Sequence, residues 1–206
     1  MATVVASYLG EGSFARPLVL RDLERSRTAY NALPDDAAQP PVADEHIKNL
    51  AALFVRHNAH NTLGVHLIHG HFQIPENTIM LGKNFENPCG RWTNPTDVST
   101  FNPSAVHGHI FVLKDNEFLA YKYQDGSMPD LSAVGHGFIT KFVHYITSNN
   151  LTDLIGLQIL MDERVRPMTH AAMTSGNHKV FNAGKPLPKL ENVHDLKQAL
   201  ADVGVL

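Results

Sequence analysis

Between Val106 and Tyr123 the chain carries two apolar runs, Val106 to Leu113 and Glu117 to Tyr123, split by Lys114-Asp115-Asn116. Short runs bounded by turn residues predict two strands joined by a tight turn. Val65 to Phe72 reads as another strand. Alternation puts Val65, Leu67, His69 and His71 on one face and His66, Ile68 and Phe72 on the other. Gln73 to Asn77, with Pro75, reads as a turn, and Thr78 to Gly82 as the returning strand of a hairpin. Leu154 to Met161 is a short apolar run expected to be a buried strand, and Val180-Phe181 is a candidate for one more.

Helical spacing appears elsewhere. Arg21 to Leu33 is a charged, helix-like stretch, closed by the Pro34, Asp35, Asp36, Pro40 and Pro41 segment. Ile47, Leu50, Ala51 and Phe54 recur at helical intervals behind Asp44, a plausible N-cap, so Ala43 to about His60 is expected to be a helix. Apolar residues at 131, 134, 138, 142, 145 and 146 predict a helix over Asp130 to Ser148 despite Gly135 and Gly137. His194 to Val203 predicts a further helix. Lys83 to Ser104 is polar and interrupted by Pro88, Pro95 and Pro103, and reads as a long loop.

Strands with two apolar faces must be covered on both sides. The pattern therefore implies a single α+β domain over residues 1–206, with a mainly antiparallel sheet of four or five strands and three or four helices. A pure β-barrel is the alternative.

Composition narrows the function classes. Charged residues make up 18% of the 206, too few for a disordered chain beside 43% hydrophobic residues. The net charge is -3 and no basic block or stripe occurs, so neither a nucleic-acid nor an anionic-membrane partner has an electrostatic footprint. The single cysteine, Cys89, fits a reducing compartment. The first ten residues lack the basic and apolar regions of a signal peptide, and no apolar run reaches the roughly 20 residues needed to span a bilayer. A cytoplasmic location is expected.

Histidine is the unusual residue. Two identical triplets occur, His69-Gly70-His71 and His107-Gly108-His109. Random placement of 13 histidines and 14 glycines would give about 0.06 such triplets. On a strand, residues two apart share a face at a spacing of about 6.6 Å, so each triplet would aim two imidazoles into one space. Imidazole is the commonest nitrogen ligand of metals, and Glu76 follows His71 closely enough to add a carboxylate. His69, His71, Glu76 and His107 thus form a candidate site for iron, zinc, manganese or nickel. His66 is expected to face away from it. His57 and His60, at the end of a helix, fit a capping role.

The spacing of His69-Gly70-His71, Glu76 and Gly82 resembles the first metal motif of the cupins, an H-x-H pair followed by a glutamate and later a glycine. That resemblance implies a small β-barrel holding a metal on three histidines and a glutamate. It covers about 20 residues, and the family's second pattern, P-x-G-x-x-H, does not occur around Pro103 and His107.

A metal-free pocket is the second reading. Paired imidazoles can take and give protons near neutrality, with Tyr121 and Tyr123 as hydroxyl donors. His107, His109 and Tyr121 are then the candidate catalytic residues, with Cys89 to Trp92 shaping the entrance. Nucleophile-elbow, H-E-x-x-H, phosphate-loop and dinucleotide motifs are all missing. The expectation is a small-molecule enzyme with a histidine-lined pocket. It is either metal-dependent, of oxygenase, isomerase or lyase type, or a metal-free isomerase, dehydratase or cyclase. A non-enzymatic binding or scaffold protein is the remaining alternative.

Overall fold

The computed structural model describes residues 14, 18–35, 38–86 and 89–160, so the expectations at Val180-Phe181 and His194 to Val203 lie outside the described residues. Among the described residues, three helices, α1 (Leu20–Asn31), α2 (Asp44–Arg56) and α3 (Phe138–Ser148), accompany six strands. The strands are β1 (Leu63–Leu67), β2 (Thr78–Glu86), β3 (Cys89–Asp97), β4 (Val106–Lys114), β5 (Glu117–Asp125) and β6 (Ile155–Ile159). They form one sheet in the order β1-β6-β4-β5-β2-β3. All pairs are antiparallel except β2 with β5, which run parallel. The α+β class holds, but the sheet is mixed and has six strands, not a mainly antiparallel four or five. Its two edges, β1 and β3, are not paired to each other among the described residues, in contrast to the cupin-like barrel.

Two further expectations are corrected. Thr78 to Gly82 does not return against the strand at 65. Its segment, β2, pairs with β3 and β5, and among the described residues β1 pairs only with β6. The stretch from Lys83 to Ser104 is not a long loop, because most of it is β2 and β3 paired from Thr78↔Asp97 to Glu86↔Cys89. Pro95 is tolerated because β3 is an edge strand, where a missing N–H costs no inner ladder bond. Two single 3-10 turns, at Val98–Thr100 and Pro103–Ala105, lead on to β4.

One face of the sheet carries the main core. Leu81, Phe111, Leu113, Phe118, Ala120, Tyr123, Leu157 and Ile159 meet Leu50 and Phe54 of α2 and the stripe Phe138, Ile139, Phe142, Val143 and Ile146 of α3. Phe54 lies edge-on to Phe138 and Phe142, with centroids 4.8 and 5.9 Å apart. α3 starts at Phe138, not Asp130, because Gly137 stands at its N-cap in a left-handed conformation (φ 77°). Gly135 lies just before it, and its N–H donates to the His57 carbonyl at 2.6 Å.

The second face carries a smaller cluster of Tyr30, Ile68, Ile74, Met80, Ile110, Val112, Leu119 and Tyr121. The C-terminal end of α1 reaches this face through Tyr30, and Arg25 pairs with Glu117 of β5 at 2.8 Å. Among the described residues, no helix is long and apolar enough to cross a membrane.

Candidate functional site: a histidine and tyrosine face of the sheet

The second face of the sheet is where the histidines gather. On β4, Gly108 is directed at the main core, since a Cβ there would lie 2.6 Å from the Phe111 ring and 2.9 Å from Ala120. His107 and His109, its neighbours, therefore point to the other face. The pairing of β4 with β5 is irregular at this point, shifting between Gly108 and Ile110 and again between Ile110 and Phe111. The irregularity explains how Gly108 and Phe111, three apart, share one face, and how His109 and Ile110 share the other. On β5 it likewise sets Tyr121 and Gln124 on the second face while Ala120 and Tyr123 belong to the main core.

The first triplet is built differently from its expectation. β1 ends at Leu67, so His69 and His71 do not sit on strand positions. The segment after β1 is tied to the end of α1. The Gly70 N–H donates to the Pro34 carbonyl at 2.9 Å, and the Asn31 side chain exchanges two hydrogen bonds with the Ile74 backbone, at 2.8 and 3.0 Å. Within that segment the His69 and His71 rings meet with centroids 4.8 Å apart. His66, which strand alternation sets on the opposite face, stacks on His69 at 5.3 Å. The departure of the chain from the strand after Leu67 is the reason. Tyr121 lies 6.4 Å from the His66 ring and 6.5 Å from Tyr30.

Hydrogen bonds fix which imidazole nitrogen carries the proton in the neutral ring. His107 Nδ1 lies 2.9 Å from the Gly126 carbonyl and His69 Nδ1 lies 2.7 Å from the Leu67 carbonyl. A carbonyl only accepts, so both rings carry the proton on Nδ1 and have their lone pair at Nε2. His109 is anchored through its other nitrogen. Its Nε2 lies 3.2 Å from the amide nitrogen of Gln158, which can only donate, so His109 accepts at Nε2 and also keeps its proton on Nδ1. Two histidines of one strand thus share a tautomer but are held by opposite nitrogens, one by its donor and the other by its acceptor.

Tyr121 and Gln124 complete the polar set. Both are 0% exposed, and among the described residues neither the Tyr121 hydroxyl nor either atom of the Gln124 amide has a hydrogen-bond partner. Such orphaned groups are rare because each forfeits its bonds to water. Burial, and next the neighbouring Tyr30, push the Tyr121 phenol far above the ordinary tyrosine range, so it is a neutral O–H. Burial raises the Tyr30 phenol too, opposed by the backbone of His71. Lys122, the next residue of β5 and 6% exposed, holds its ammonium 5.8 Å from the Tyr121 ring centre.

Glu76 is exposed in the turn before β2, where its carbonyl accepts from the Thr78 hydroxyl at 3.2 Å. Among the described residues, no group of three or more His, Cys, Asp or Glu side chains is disposed to hold a metal ion. Register pairs Trp92 with Lys83, one step from Gly82, and so sets it on the face of Leu81, away from the histidines. His57 occupies the C-cap position of α2, where its backbone N–H donates to the Leu53 and Val55 carbonyls. Sequence reasoning misses His66, Gln124 and Gln158. Only Gln124 carries a signal: an amide between apolar and aromatic residues at the end of a buried strand.

Compared with models of protein families, with curated proteins and with solved structures, the chain matches none.

Proposed function

We infer that this protein is a small-molecule enzyme whose histidine face performs general acid–base chemistry without a metal: an isomerase, dehydratase or cyclase. The observation that carries this reading is the opposite anchoring of His107 and His109 on the face of the sheet that also buries Tyr121. His107 has its basic lone pair at Nε2 while its Nδ1–H is anchored on Gly126, the arrangement that orients a general base. His109 has its N–H at Nδ1, with its other nitrogen held by Gln158. Tyr121, locked neutral by burial, can donate a hydrogen bond to an oxygen on which negative charge develops. Together they supply a proton acceptor, a proton donor and an oxyanion partner, the set needed to move a proton within a carbonyl compound. His66, His69 and His71 extend the face and shape the ligand's surroundings.

The reading is tested by incubating the protein in D2O with a panel of enolisable ketones, aldehydes and hydroxy acids, and following hydrogen–deuterium exchange by NMR. Exchange above the protein-free rate, lost in His107→Ala and reduced in His109→Ala, is the expected result. Folded variants that exchange every compound at the wild-type rate would remove these residues from the chemistry.

A further inference from the structure

The Gln124 side-chain amide has no part in the acid–base chemistry, yet it is completely buried, and both its donor and its acceptor atoms are unmatched among the described residues. An amide in that state is complementary to a ligand edge that presents an acceptor and a donor side by side in one plane. A charged carboxylate offers acceptors only, and an ester or ether offers no donor. A carboxamide, lactam or imide offers both. The neighbours of Gln124 agree with a flat ligand. Gln124 pairs in register with His107 on one side and with Gly82 on the other. Gly82 sets no side chain beside it. Cross-strand partners have Cβ atoms about 5 Å apart, so a group held by Gln124 lies within reach of the His107 ring. Along β5, Tyr121 is three residues away, a span of about 10 Å that fits a molecule of one or two rings.

We propose that Gln124 is a specificity-determining residue of this site, and that the ligand is an uncharged planar compound carrying a carboxamide, lactam or imide edge. This rests on the acid–base reading for the location of the site and adds the class of compound it takes. Buried groups built to hydrogen-bond a ligand reject analogues that lack the matching atoms, by far more than shape alone can achieve.

The test uses four size-matched probes, benzamide, 2-pyridone, benzoate and methyl benzoate, titrated into the wild-type protein with the His107 and His109 ring resonances followed by NMR. Benzamide and 2-pyridone are expected to bind at least roughly tenfold tighter than the other two, and Gln124→Met is expected to erase that preference. If all four probes shift the ring resonances with equal affinity, or the preference survives in Gln124→Met, the assignment of Gln124 is wrong while the site stands. If no probe moves either histidine, both the site and the assignment fall. The wild-type preference alone decides the matter should Gln124→Met not fold.

Discussion

The His66 and His69 rings lie stacked, 5.3 Å between centroids and 29° between planes, although only His66 belongs to β1. Contact between aromatic rings contributes about 1 kcal/mol beyond simple burial. His66→Ala is therefore expected to lower the unfolding free energy by roughly that amount and to displace the His69 ring resonances. Unchanged denaturation and an unmoved His69 spectrum would show that the stack holds nothing in place.

Tyr121 carries a hydroxyl that folding strips of water and, among the described residues, gives no partner. Removing it in Tyr121→Phe should leave the packing intact and raise stability by about 1 kcal/mol in urea, while abolishing exchange activity at the histidine face. A loss of stability would mean that the hydroxyl is satisfied in solution.

The same phenol sets an alkaline limit. Tyr30 and Tyr121 both have pKa values raised by burial, so the folded form keeps both protons where the unfolded chain begins to release them near pH 10. Their contribution is intact below that pH and declines as pH climbs above it. Absorbance at 295 nm should show Tyr121 ionising only as the protein unfolds and Tyr30 ionising later than an exposed tyrosine, and Tyr121→Phe should move the alkaline midpoint upward. Two early-titrating phenols would contradict this.

Gly108 and Gly156 separate two kinds of close packing. A Cβ at Gly108 would press on the Phe111 ring, which has some freedom to turn, and on the Ala120 Cβ. At Gly156 it would lie 2.5 Å from the Phe111 carbonyl oxygen, a backbone atom. Gly108→Ala should cost about 1–3 kcal/mol, and Gly156→Ala should cost more, because β4 and β6 must separate to admit it. Chemical denaturation of both variants gives the order directly.

Asp115 and Asn116 both have positive φ, 51° and 60°, the conformation of a two-residue hairpin turn between β4 and β5. Asn116→Gly relieves the cost of a side chain at positive φ and is expected to stabilise the turn by up to about 1 kcal/mol. A fall in melting temperature would show that the asparagine side chain supports the turn.

What the sequence reveals follows from where each element gets its stability. β4, β5, β6, α1 and α2 lie close to their expected positions because their apolar periodicity is the same signal that buries them. β3 is hidden because Cys89–Asp97 is an edge strand, free to carry Asn94, Pro95 and Thr96 without an apolar stripe. The partner of β1 is hidden because it lies some ninety residues onward, and nothing local distinguishes pairing with β6 from a hairpin with β2. The histidines of the second triplet share a face, as alternation requires. Those of the first reach one another although they leave the strand, held by Asn31 and Pro34, contacts that no spacing rule contains. Gln124 joins them only through the irregular pairing of β4 and β5.

Since, among the described residues, β1 pairs with the sheet only through β6, the order of synthesis matters. Residues 63–67 emerge from the ribosome long before 155–159, the strand they pair with among the described residues. His66 is carried on that strand, so its place on the histidine face depends on the arrival of β6.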